Sequence, residues 1–117
     1  MFKSGNVTVM VADLQRAVKF YVETLGLKLQ HETEGHFAQI EATGLTIGLL
    51  HLHGGQNSQQ EKSGSMSIGF EVEELEPAIK TLKSRGVEFN DAVEGEAAQV
   101  VHFNDPDGNA LYLVCSR

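Results

Sequence analysis

An α+β fold of two βαβββ modules in tandem is what this sequence predicts, and three observations predict it. A strand-like run closing on an acidic residue and a leucine occurs twice, at Asp13-Leu14 and Glu74-Leu75, 61 positions apart (74 − 13 = 61). Each run feeds a helix-like stretch that stops at a glycine, Gly26 in the first copy and Gly86 in the second, and Ala17-Val18-Lys19 falls on Ala78-Ile79-Lys80. Three strand-like segments follow each helix. An internal repeat of this length means one supersecondary unit built twice.

The elements follow in order. In 6–11, Val7, Val9 and Val11 alternate with Asn6, Thr8 and Met10, as a strand with one buried face requires. Asp13 suits the N-cap of the next helix, because its carboxylate can accept from the free amides of the first turn. Leu14, Ala17, Val18, Tyr21 and Leu25 then share one helical face, and Gly26 is a natural C′ residue. Segments 27–33, 37–42 and 45–52 read as strands, turned at Glu34-Gly35 and Thr43-Gly44. The stretch 54–64 holds no apolar residue and reads as a connecting loop.

The second copy opens with a strand at 66–72, where Met66, Ile68, Phe70 and Val72 share a face opposite Ser67, Gly69 and Glu71. Its helix carries Pro77 in the first turn, where a missing amide costs little, and buries Leu75, Ile79 and Leu82. Segments 87–89, 99–104 and 111–115 complete the strands, with the acidic Glu94-Gly95-Glu96 as a connection. Asp105-Pro106-Asp107-Gly108 is a tight turn, with Pro at i+1 and Gly at i+3. The expected organisation is one domain, 1–117, with module one at about 1–53, a linking loop at about 54–65 and module two at about 66–117.

Composition narrows the function. The chain has 117 residues, with 16 acidic and 9 basic side chains and a net charge of −7. No basic stripe exists to displace counterions, so nucleic acid and anionic membrane are not expected partners. No apolar run approaches the roughly 20 residues that span a bilayer, and no signal peptide is read at the start, so the expected location is cytoplasmic. The single Cys115 reads as a small buried residue in a reducing compartment.

The phrase Val11-Ala12-Asp13-Leu14, then Ala17, Phe20-Tyr21 and Leu25-Gly26, and the closing Phe103-Asn104-Asp105-Pro106-Asp107-Gly108-Asn109 resemble the vicinal oxygen chelate superfamily. That superfamily includes glyoxalase I, extradiol dioxygenases, fosfomycin-modifying enzymes and metal-free bleomycin-resistance proteins. The resemblance implies a glyoxalase-like curved mixed sheet with its helices on the outer face. It also implies four metal-ligand positions, here Asn6, Gly48, Ser67 and Tyr112. Divalent metals want imidazole, carboxylate or thiolate donors, and these residues offer none. No cofactor is predicted, although a divalent metal at a non-standard site stays open. His51 and His53 would point away from a cavity that Gly48 faces, and His31 and His36 flank a turn.

Taking Asn6, Ser67 and Tyr112 as inward, alternation brings Thr8, Met10, Leu50, Gly69, Glu71, Ala110 and Val114 with them, and Leu52 adds to the wall. His102, three residues before Asp105, joins from the neighbouring strand. The expected ligand-binding set is therefore Asn6, Thr8, Met10, Leu50, Ser67, Gly69, Glu71, His102 and Tyr112. Histidine exchanges protons near neutral pH, so His102 with Glu71 and Tyr112 is the candidate catalytic set. Each has a plainer role: Tyr112 can plug the space a metal would take, and Glu71 can sit at a solvated mouth.

The first functional expectation is a protein that sequesters a small organic molecule, in the manner of antibiotic-resistance relatives, without a metal. The alternative is a lyase or isomerase of the glyoxalase type working through His102, Glu71 and Tyr112. A third is a paralogue with no ligand. A homodimer is expected, since single-length relatives pair to close their sheet edges.

Overall fold

The computed structural model describes residues 1–51, 66–90, 93–94 and 98–116. The chain divides into two compact units, Met1–Glu61 and Lys62–Arg117. Among the described residues each holds one mixed four-stranded sheet and one helical segment, which makes the fold α+β with a βαβββ unit in each half.

In the first unit, β1 (Asn6–Val11) leads into α1 (Leu14–Lys19), followed by β2 (Lys28–Thr33), β3 (Phe37–Ala42) and β4 (Leu45–His51). The sheet order is β1-β4-β3-β2, with β1 parallel to β4 and the other pairs antiparallel. Asp13 caps α1 as its sequence position predicts: Oδ1 accepts from the Arg16 backbone N–H at 3.1 Å. Leu14, Ala17 and Tyr21 are buried with Val11, Ala38, Ile40, Ile47 and Leu49, so the helix covers one sheet face.

The first helix is one residue longer than its repeat, and the structure locates the extra residue. Phe20–Thr24 is a π-helical turn in which the Leu25 N–H reaches the Phe20 carbonyl, five residues back, at 2.9 Å. A wider turn absorbs an inserted residue without moving the core positions before it.

In the second unit, β5 (Ile68–Glu71) leads into α2 (Leu75–Ser84), then β6 (Val93–Glu94), β7 (Ala98–Asn104) and β8 (Ala110–Ser116). The order is β5-β8-β7-β6, the same topology. Glu74 makes no side-chain cap on α2. With Pro77 as the third helical residue, the N–H that a cap would serve is missing. The helix ends in a Schellman arrangement: the Val87 N–H reaches the Leu82 carbonyl and the Gly86 N–H the Lys83 carbonyl, both at 3.0 Å. Gly86 supplies the required positive φ of 97°, and Val87 and Leu82, the two ends of the outer bond, are both buried.

Two elements differ from the sequence reading. The segment 87–89 forms no strand of its own; Phe89 makes an isolated bridge to Phe103, with ring centroids 5.2 Å apart, and β6 takes the outer pairing four residues later. A three-residue run is too short to hold a ladder once its middle residue, Glu88, is solvated. Cys115 is half-buried rather than buried, and its thiol donates to the Glu73 carbonyl at 3.3 Å. Leu52, His53 and the linking loop 54–65 lie outside the described residues, as does the Gly95-Glu96 part of the acidic connection.

The Asp105 turn is built as its composition implies. The Gly108 N–H reaches the Asp105 carbonyl at 2.9 Å, closing a β-turn around Pro106-Asp107. The Asp105 carboxylate is buried, 4% exposed. Its Oδ1 accepts from the backbone N–H groups of Asp107 (2.9 Å) and Asn109 (2.8 Å), and its Oδ2 from Asn109 Nδ2 (2.8 Å). That carboxylate fixes the hairpin between β7 and β8, and so the register of everything β8 carries.

Candidate functional site

Each sheet has a second face that its own helix does not cover. Strand pairing shows which residues share it, because directly opposed residues project to the same side. In the first unit the open face is three cross-strand rows. Asn6, Thr46 and Glu41 form one, Thr8, Gly48 and Gln39 the next, and Met10, Leu50 and Phe37 the third. The predicted residues Asn6, Thr8, Met10 and Leu50 therefore do share one surface, and Met10 and Leu50 remain 40% and 36% exposed on it. His51 pairs with Val11 and lies on the helix-covered side, away from Gly48.

In the second unit the central row is Gly69, Tyr112 and His102. It is the exact repeat counterpart of Thr8, Gly48 and Gln39, since Thr8 and Gly69 hold the same place in β1 and β5. Gly48 and Tyr112 are thus equivalent (112 − 48 = 64), as are Gln39 and His102 (102 − 39 = 63).

Glycine occupies this row in both units, but on different strands. At Gly69 a Cβ would collide with Cζ, Cε2 and Oη of Tyr112, so the phenol ring lies directly across the glycine. On its other side the ring meets His102, with centroids 5.6 Å apart and planes tilted by 48°. At Gly48 a Cβ would lie 3.0 Å from Phe37 Cε1 and 3.2 Å from Thr8 Oγ1, so those two side chains close over the bare backbone.

Of the candidate catalytic residues, the structure brings His102 and Tyr112 together and sets Glu71 apart. Glu71 pairs with Val114, one row on, and its Oε2 accepts from Ser116 Oγ at 3.2 Å, on the side away from His102. Two strands across and two residues along puts the Glu71 and His102 backbones about 12 Å apart. Ser67 stands one residue before β5 and is exposed.

The four positions that the resemblance implies for a metal, Asn6, Gly48, Ser67 and Tyr112, hold an amide, no side chain, a hydroxyl and a phenol whose ring is committed to Gly69. That donor set does not suit a divalent ion. Among the described residues, no three His, Cys, Asp or Glu side chains are grouped to share one.

Sequence reasoning passed over a polar ladder on the open face of the first unit. Gln39 Nε2 donates to Gln30 Oε1 at 2.8 Å, and Gln30 Nε2 donates to Glu41 Oε1. Gln30 lies on that face with Lys28 by ordinary alternation, and it is the unpaired residue of a β-bulge, where the pairing slips between Leu29 and His31. Two glutamines and a glutamate on strands read as solvated surface, and nothing in their spacing marks a bulge.

Residues 3–113 match the Glyoxalase/Bleomycin resistance protein/Dioxygenase superfamily. A glutathione transferase, FosA, of Serratia marcescens is 32% identical over 111 residues, 93% of this chain and 77% of that one. The uncharacterised protein YetH of Bacillus subtilis is 29% identical over 93% of this chain and 94% of its own. Among solved structures, an integron cassette protein from the Halifax Harbour sewage outfall superposes with a TM-score of 0.79 at 24% identity, covering 98% of this chain and 99% of that one. TnmS3, an antibiotic-binding protein of Streptomyces sp. CB03234, superposes with a TM-score of 0.75 at 22% identity, covering 100% and 99%. No helix among the described residues is long and apolar enough to cross a membrane.

Proposed function

Because the chain belongs to the glyoxalase/bleomycin resistance protein/dioxygenase superfamily, we propose that it binds a small organic molecule on its open sheet faces, without a metal. The observation that carries this reading is the row Gly69–Tyr112–His102. A phenol ring spread across a bare backbone position, beside an imidazole, is a ready surface for an organic ring and a poor one for an ion. Apolar Met10 and Leu50 with polar Asn6, Thr8 and Gln39 give the mixed lining that small-molecule sites use. The antibiotic-binding description of TnmS3 supports the same class of ligand.

A thermal-shift screen of organic molecules, run with and without a chelator, tests it. The expected hit raises Tm equally in both conditions and loses its effect in Tyr112→Ala. Binding that vanishes with the chelator sinks the reading.

A second reading is a lyase or isomerase. One observation favours it: His102 and Tyr112 stand side by side, so the imidazole and the phenol can act on one ligand as base and acid. Turnover of a bound compound that His102→Ala abolishes, with affinity unchanged, would select it.

A further inference from the structure

The ladder in the first unit has a direction that the carboxylate imposes. Ionised Glu41 only accepts, so Gln30 must turn its NH2 toward it and its carbonyl away. That carbonyl only accepts as well, so Gln39 must present its own NH2 to Gln30. An amide with its NH2 committed on one side offers its C=O on the other. Gln39 Oε1 is thereby held as an acceptor in the central row, beside Gly48, whose backbone is covered by Phe37 and Thr8. A free glutamine would present either end; this one is oriented from two residues away.

The row beside it is apolar throughout: Phe37, Leu50 and Met10. The row on the other side is polar, and its Glu41 has Lys28 as its strand partner. What the centre of the face offers is an accepting oxygen, and an acceptor asks for a hydrogen-bond donor.

We propose that the open face of the first unit is a recognition site for an apolar ring bearing an N–H or O–H donor. The ring lies on Phe37, Leu50 and Met10, and the donor goes to Gln39 Oε1. This rests on the reading that the protein binds a small organic molecule, and adds the chemistry that the ligand must have. Gln30 and Glu41 are then positioning residues, which orient Gln39 and do not themselves touch the ligand.

The test uses a matched neutral pair of probes, 2-naphthol and 2-methoxynaphthalene, titrated into the full chain and followed by the side-chain amide signals in NMR. The two differ in whether the oxygen carries a proton or a methyl group, so only the first can donate a hydrogen bond. The expected result is that 2-naphthol binds about tenfold tighter and moves the Gln39 and Gln30 amide signals with that of Gly48. Glu41→Gln lets residue 41 offer either end of an amide, so the orientation of Gln30 and Gln39 is lost and the preference falls to near unity. Gln39→Ala does the same by removing the acceptor, and a native-like melting curve for either variant shows that the fold is kept. An unchanged preference in both variants, or binding seen only around Tyr112 and Gly69, overturns this inference while leaving small-molecule binding intact. Failure of 2-naphthol to bind at all also overturns it, and the chelator-controlled screen then decides the broader reading separately.

Discussion

Substituting Gly69 by alanine tests the geometry of the second unit most directly. The new methyl group would occupy space already held by Cζ, Cε2 and Oη of Tyr112, well inside any allowed contact. The ring must swing away, giving up both its seat on the glycine and its contact with His102. Overpacking of this kind costs about 1–3 kcal/mol. Gly69 is not among the glycines with positive φ, so alanine fits its backbone. It therefore gains back about 0.4–1 kcal/mol by restricting the unfolded chain. The net expectation is a loss of about 1–2 kcal/mol, seen as a Tm lower by about 4–8 °C. In a Tyr112→Ala background the collision is gone and only the unfolded-state term remains, so the same substitution should change sign and stabilise. A double-mutant cycle by urea unfolding measures this. Tyrosine emission is a usable probe, because the chain has two tyrosines and no tryptophan. Additive effects in the two backgrounds would refute the placement of the ring across Gly69.

Two further outcomes follow from the ends of the elements. Asp13→Ala removes the carboxylate that accepts from Arg16 N–H and should cost about 1 kcal/mol, whereas Glu74→Ala, at the matching place in the repeat, should be close to neutral in the same denaturation assay. Asp105→Ala leaves the Asp107 and Asn109 N–H groups without their buried acceptor and should cost about 2–4 kcal/mol, with Asp105→Asn milder because one accepting oxygen survives.

The fold was legible in the sequence because core and caps obey rules of spacing. Leu14, Ala17 and Tyr21 had to fall on one face of a helix, and Asp13 and Gly26 had to bound it. The second strand of the first unit shows where spacing fails. Strict alternation groups residues 28, 30 and 32. In the structure Lys28, Gln30, His31 and Thr33 lie on the open side, while Glu32 pairs with Ala38 on the helix side and accepts from Gln15 of α1 at 3.0 Å. A bulge inserts one residue and inverts every residue after it, and no composition signal announced it. The catalytic grouping of Glu71 with His102 illustrates the same limit. Parity puts both on one face but does not say how far apart along it they stand.

The repeat itself shows why the two faces of each sheet had to be read differently. The offset between copies is 61 at Asp13 and Glu74, and still 61 at Ala17 and Ala78, but 60 at Gly26 and Gly86. The change of one falls across Phe20–Thr24, where the π-helical turn sits, after Tyr21 has taken its place in the core. Packing tolerates an extra residue only where it can be absorbed beyond the last buried contact. No such rule acts on the open faces. There the central row has the same register in both copies and different chemistry: Thr8, Gly48 and Gln39 in one copy stand where Gly69, Tyr112 and His102 stand in the other. One copy lays its tyrosine ring over a glycine of its first strand, and the other closes Phe37 and Thr8 over a glycine of its last strand, beside an oriented amide. On the helix-covered face of the same strands the buried residues differ between copies but stay apolar, because packing holds that face to burial.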